Sequence, residues 1–119
     1  MSLRRKKHNH RCNRKQPIEH TGFYPYLQHY LEGLAVKGFS EQTRYRHDNH
    51  IRRFAAWCEE RGLDRPAEIT KPILERYQKH LYYYRKPDGE PLSFSSQQVI
   101  ASSLKSFFKW LTRHNHLLY

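Results

Sequence analysis

The 119 residues carry 22 Lys and Arg against 11 Asp and Glu, a formal net charge of +11. That length is one domain, able to bury a modest core without a metal or disulfide, and that charge points to a polyanionic partner: DNA, RNA or an acidic membrane surface. No apolar run approaches a membrane span, and the charged start lacks the apolar stretch of a secretory signal. Cys12 and Cys58 lie far apart, in a basic tail and a helical pattern, so a disulfide framework is not expected and the usage fits a reducing cytoplasm.

Residues 1 to 20 read as a basic, unpatterned arm. Arg4, Arg5, Lys6, Lys7, Arg11, Arg14 and Lys15 all precede the first acid, Glu19, and such a block normally stays disordered because like charges repel and nothing apolar orders it. The arm has two readings, a DNA-backbone contact or a solvated tail. His8, His10 and Cys12 match no ordinary zinc spacing and lack a fourth ligand.

Residues 21 to 119 read as a helical domain. A first helix is expected over about Pro25 to Lys37, with Leu27, Tyr30, Leu31 and Leu34 on one face, Pro25 in the first turn and Gly38 as terminator. A second runs from about Glu41 to Arg61, capped by Ser40 and stopped by Gly62; Ile51, Phe54, Ala55 and Cys58 face inward, with Trp57 at the edge. A third follows Thr70 and runs to about Arg85 on Ile73, Tyr77, Leu81 and Tyr84. Its run Tyr82, Tyr83, Tyr84 cannot all point inward, so at least one ring should be exposed. Lys86-Pro87-Asp88-Gly89 is a turn. The last helix spans Ser95 to Arg113, with Ser95 as N-cap and Gln98 completing a capping box. Val99, Ile100, Leu104, Phe107, Phe108 and Leu111 make its apolar face. No segment alternates with period two long enough for a strand, so the fold class is all-α.

Two helices have outer faces suited to a duplex. On the second these are Gln42, Arg46, Asn49 and Arg53; on the last, Gln98, Ser102, Lys105 and Lys109, with Thr112 and Arg113 at the margins. Amides read base edges, cations read guanine or neutralise phosphate, and hydroxyls donate to phosphate. Either face alone also describes an ordinary solvated helix. Lys37, near the end of the first helix, lies away from both.

Ser40-Glu41-Gln42-Thr43 followed by Phe54-Ala55-Ala56-Trp57 resembles the S-E-x-T…F-x-x-W pattern of the tyrosine recombinases, the phage integrases and Xer-type enzymes. Ser102-Ser103-Leu104-Lys105-Ser106-Phe107-Phe108-Lys109-Trp110-Leu111 is similar to their S-A-L-R-x-F-F-x-W-L stretch. The resemblance covers Tyr24 to Tyr119 and implies their N-terminal SAM-like core-binding domain, a four-helix bundle of two crossed helical hairpins forming half of a C-shaped clamp. It places Thr43 with Gln42, Arg46, Gln98, Ser102, Lys105 and Lys109 at duplex DNA. The chain departs from the pattern at His47, where a Tyr or large apolar residue is usual. The family's catalytic domain, with its phosphate-clamping cations and nucleophilic Tyr, would lie downstream; Tyr119 falls too early to be that nucleophile. A fragment without catalytic residues, metal or cofactor is the expectation, monomeric in isolation, with tetrameric synapsis expected only of a full-length recombinase. The competing class is a helical RNA-binding or protein-interaction module. A hydrolase or metal enzyme is disfavoured, since no nucleophile elbow, P-loop or metal spacing occurs.

Overall fold

The computed structural model describes residues 15–114. Four helices follow in order: α1 Tyr24–Val36, α2 Glu41–Glu59, α3 Lys71–Tyr83 and α4 Phe94–Arg113, with a short 3-10 turn Pro66–Glu68 before α3. α1 and α2 form one hairpin and α3 and α4 another, and α4 packs on all three other helices. The all-α expectation holds among the described residues. Only an isolated bridge between Arg85 and Pro91 interrupts it, closing the turn between α3 and α4.

The helix ends follow elementary chemistry. Pro25 sits in the first turn of α1, where its missing N–H costs nothing. Gly38 and Gly62 both adopt positive φ, 89° and 77°, just past α1 and α2, the left-handed turn that frees the last carbonyls to be satisfied. The Ser40 hydroxyl accepts from the Thr43 backbone N–H at the start of α2. At α4 the expected cap is displaced: Ser93, not Ser95, accepts from the Ser96 N–H at 3.0 Å. Leu92 is anchored against the core and its carbonyl accepts from Gln97 Nε2, so the chain turns into helix two residues early. Gln98 is left out of the cap and faces solvent.

The core is aromatic. Phe23, Phe54 and Phe107 are fully buried, and the Phe54 ring touches those of Phe23, Tyr77 and Phe108 at 6.1, 4.9 and 6.0 Å. One side chain thereby ties the entry to α1 to α2, α3 and α4. A second cluster joins Tyr30 of α1 to Phe107 and Trp110 of α4 at 5.3 and 5.6 Å. The inner face expected for α2 is buried, and Trp57 is buried as well rather than at the edge. Its ring is covered by the Arg61 guanidinium at 4.1 Å, while its indole N–H finds no acceptor among the described residues.

Packing begins before residue 20. Ile18 is fully buried, and Gly22 lies so close to the 64–65 loop that an added Cβ would meet the Asp64 carbonyl at 2.8 Å. Arg4 to Arg14, and with them His8, His10 and Cys12, lie outside the described residues, as does Tyr119.

Candidate nucleic-acid interface

α4 is built from Ser, Gln, Lys and bulky apolar residues and contains no Asp or Glu. Ile100, Leu104, Phe107, Phe108 and Leu111 go into the core. Gln98, Ser102, Lys105, Lys109 and Arg113 are exposed. Val99, expected on the inner face, is 42% exposed; it sits at the margin, where α4 meets α2, rather than over the core. On α2, Gln42, Arg46 and Arg53 are exposed and Asn49 is half-buried. Thr43 is half-buried and engaged in the cap, its hydroxyl accepting from Ser40 at 3.0 Å. None of Arg46, Arg53, Lys105, Lys109 or Arg113 has an ion-pair partner among the described carboxylates.

The candidate residues fall into four neighbourhoods rather than one face. Gln42, Arg46 and Asn49 line a concave surface shared with Lys15 and Arg44. Asn49 and Arg53 face Ser95, Ser96 and Val99 across the α2–α4 crossing. Gln98, Ser102 and Lys105 turn toward α3 and share a groove with Gln78, Lys79 and Tyr82. Lys109 and Arg113 turn toward α1 and share a groove with Lys37 and Phe39. Lys37 is therefore not remote from the candidate surface: α1 runs beside the C-terminal half of α4.

A polar seam underlies the crossing. His50 Nδ1 lies 2.8 Å from the buried Ser103 Oγ, and His47 Nδ1 lies 3.1 Å from the Tyr30 hydroxyl. His47, the position that departs from the recombinase pattern, thus bridges α2 to α1 through a hydrogen bond. Burial lowers the pKa of both imidazoles. For His50 it falls to about 4, helped by His47, Arg53 and Arg46 nearby; His47 moves the same way, with Arg46 as the second cause. Both are neutral at pH 7, so they contribute hydrogen bonds there and no charge.

A buried ionic cluster sits at the margin of the inner face of α2. Arg52 donates to Asp48 at 2.8 Å, to Glu19 at 3.1 Å and to the Gln16 carbonyl at 3.0 Å, and Lys15 reaches the other Asp48 oxygen. This fastens residues 15–19 to α2 and consumes Arg52 and Lys15, which leaves Arg46 and Arg53 as the outward cations of the helix centre. The i, i+4 spacing of Asp48 and Arg52, next to Ile51 and Ala55, was the available signal for the pair. Nothing in the spacing announced Glu19 as a third member.

Among the described residues no cluster of three or more His, Cys, Asp or Glu is placed to hold a metal. No helix among the described residues is long and apolar enough to cross a membrane. Cys58 is buried and its thiol is pushed up to about 12, chiefly by desolvation, which leaves it unreactive.

Residues 26–116 match the phage integrase N-terminal SAM-like domain. Over 103 residues the chain is 48% identical to tyrosine recombinase XerC 2 of Ralstonia nicotianae, covering 87% of this chain and 30% of that protein. The chain thus spans less than a third of that relative's length. No solved structure matches it. A match over most of the described residues, on a bundle whose two motif stretches supply its core, settles the family: the chain belongs to the N-terminal SAM-like domains of the phage integrases and tyrosine recombinases.

Proposed function

We propose that this chain is the duplex-DNA-binding module of a site-specific tyrosine recombinase. It would act as one half of a clamp and carry no catalytic residue of its own. The observation that carries the reading is α4: twenty residues that expose Lys105, Lys109 and Arg113 without a single carboxylate. The C-terminal half of α4 offers a phosphate backbone three cations, and the helix itself carries no carboxylate to repel it. Arg46, Arg53, Gln42 and Asn49 on α2 would add a second, separate contact, and Thr43 contributes by fixing the start of that helix. Strand transfer requires an activated Tyr and a cationic cage around one phosphate. In a full-length recombinase those groups would lie downstream, and four protomers would assemble at synapsis. The isolated chain would be a monomer, acting in the cytoplasm.

The test is charge reversal. Lys105→Glu with Lys109→Glu should lower duplex affinity by at least about tenfold, because two attractive contacts become repulsive. Stability should move by no more than about 1 kcal/mol, both side chains being exposed. Lys71→Glu, at the exposed start of α3, controls for bulk charge; Lys37 is unsuitable because it shares a groove with Lys109. If Lys71→Glu weakens binding in fluorescence anisotropy as much as either single change on α4, the helix is not the contact.

A further inference from the structure

The groove between α3 and α4 has a character that duplex binding leaves unexplained. Its walls carry Gln78 and Lys79 from α3 and Gln98, Ser102 and Lys105 from α4, and one end is flanked by the rings of Tyr82 and Phe94. Those rings are 62% and 75% exposed, and the neighbouring Tyr83 is 67% exposed. A single exposed apolar side chain is ordinary, but two large rings at one end of one groove, with a third packed on one of them, are not. Tyr82 and Tyr83 meet edge to face at 5.0 Å, so the face of one ring is not covered by the other. The turn beneath them is held by the Lys86 N–H donating to the Glu90 carbonyl and the Gly89 N–H to the Lys86 carbonyl, both at 2.8 Å. The rings therefore stand on a fixed support.

Rigid phosphates of a duplex gain nothing from such rings, whose stacking surface needs a flat, unpaired partner. Unpaired bases supply it. Base-on-ring stacking with cations tracking the backbone is the general chemistry of single-strand recognition, and it tolerates any sequence. The groove offers both parts in the right order. Rings lie at the turn end, Lys79 lies about one helical turn below Tyr82, and Lys105 stands on the facing wall. Glu75, the one carboxylate in the lining, lies about 10 Å along α3 from Tyr82, at the end away from the rings. At roughly 3.4 Å of rise per stacked nucleotide, that length holds two or three bases, and a cavity of about 530 Å³ is ample for them.

We propose that the α3–α4 groove is a second nucleic-acid site that takes unpaired nucleotides, with Tyr82 and Phe94 stacking on bases and Lys79 and Lys105 meeting phosphates. The proposal shares with the duplex reading the premise that the partner is DNA and the side chains Gln98, Ser102 and Lys105; the rings of Tyr82 and Phe94 belong to it alone. A strand that is opened or bulged beside the duplex-bound face would be held there.

Three labelled probes separate the possibilities in anisotropy titrations: a thymidine 12-mer, a fully paired duplex of the same length, and that duplex with a two-thymidine bulge. The wild-type chain should bind the single strand and should prefer the bulged duplex to the paired one. Tyr82→Ala with Phe94→Ala should lower affinity for the single strand at least about fivefold, as loss of base stacking does, and should abolish the preference for the bulge. Affinity for the paired duplex should stay within about twofold. Tyr82→Phe keeps the ring and should keep single-strand binding. The proposal is overturned if removing both rings leaves single-strand binding unchanged, or weakens paired duplex equally. It is also overturned if the same variant instead abolishes a concentration-dependent self-association in sedimentation, since the rings would then serve a second copy of the chain. A wild-type chain that binds paired duplex but no single strand sinks this proposal alone; one that binds neither sinks the duplex reading with it.

Discussion

His50 shows how one side chain links stability to pH in this fold. Its imidazole is held near a pKa of about 4 by burial, with His47, Arg53 and Arg46 on α2 adding repulsion and Ser103 of α4 hydrogen-bonded to it. The folded pKa lies below the unfolded value near 6.5, so the unfolded chain binds more protons between the two. The contribution of His50 is therefore fully present above about pH 6.5 and is lost as pH falls toward 4. Allowing for its partial exposure, the loss between pH 7 and 5.5 should be about 1 kcal/mol or less. Urea titrations at the two pH values should show a smaller drop for His50→Gln than for the wild type. An equal or larger drop would mean that the imidazole does not carry the effect. Sequence spacing does not single out His50, because its partner Ser103 lies 53 residues away and only the helix crossing brings them together.

At the scale of the elements, helix periodicity told most of the story. The inner residues of α2 and most of those of α4 are where a 3.6-residue repeat puts them, and the expectation of at least one exposed ring among three consecutive tyrosines is met at Tyr82 and Tyr83. Periodicity could not decide among Ser93, Ser95 and Ser96 as the cap of α4, because all three have the same chemistry and the anchoring of Leu92 decides it. Nor could it place Val99, whose exposure depends on how closely α2 approaches. The grouping of the outer residues into separate grooves likewise depends on which neighbour flanks each stretch of α4. The ionic cluster on α2 is the element-scale feature with the largest expected cost on disruption. Arg52 is 8% exposed and Asp48 3% exposed. Asp48→Ala strands the guanidinium with Glu19 as its remaining carboxylate, and should cost about 3 kcal/mol. Asp48→Leu with Arg52→Met replaces the pair by apolar volume and should cost far less, about 1 kcal/mol or nothing. Thermal denaturation of the two variants checks this. Equal losses would show that the charges stabilise the fold beyond satisfying each other.

For the molecule as a whole, two crossed hairpins present one long acid-free helix flanked by the basic centre of another. The family assignment and the four-helix architecture came through in sequence because the two motif stretches are largely the core itself: Phe54, Trp57, Leu104, Phe107, Phe108 and Leu111 are all buried. Interface residues lack that advantage, since an exposed lysine looks the same whether water or phosphate faces it. The central claim is that this exposed surface exists for a polyanion. It is tested most directly by the salt dependence of duplex binding. With four to five phosphates neutralised by the cations of α2 and α4, affinity should fall roughly 150- to 500-fold between about 50 and 200 mM salt, from a micromolar Kd typical of binding without sequence specificity. Binding that does not change with salt, or no binding at low salt, would contradict the account.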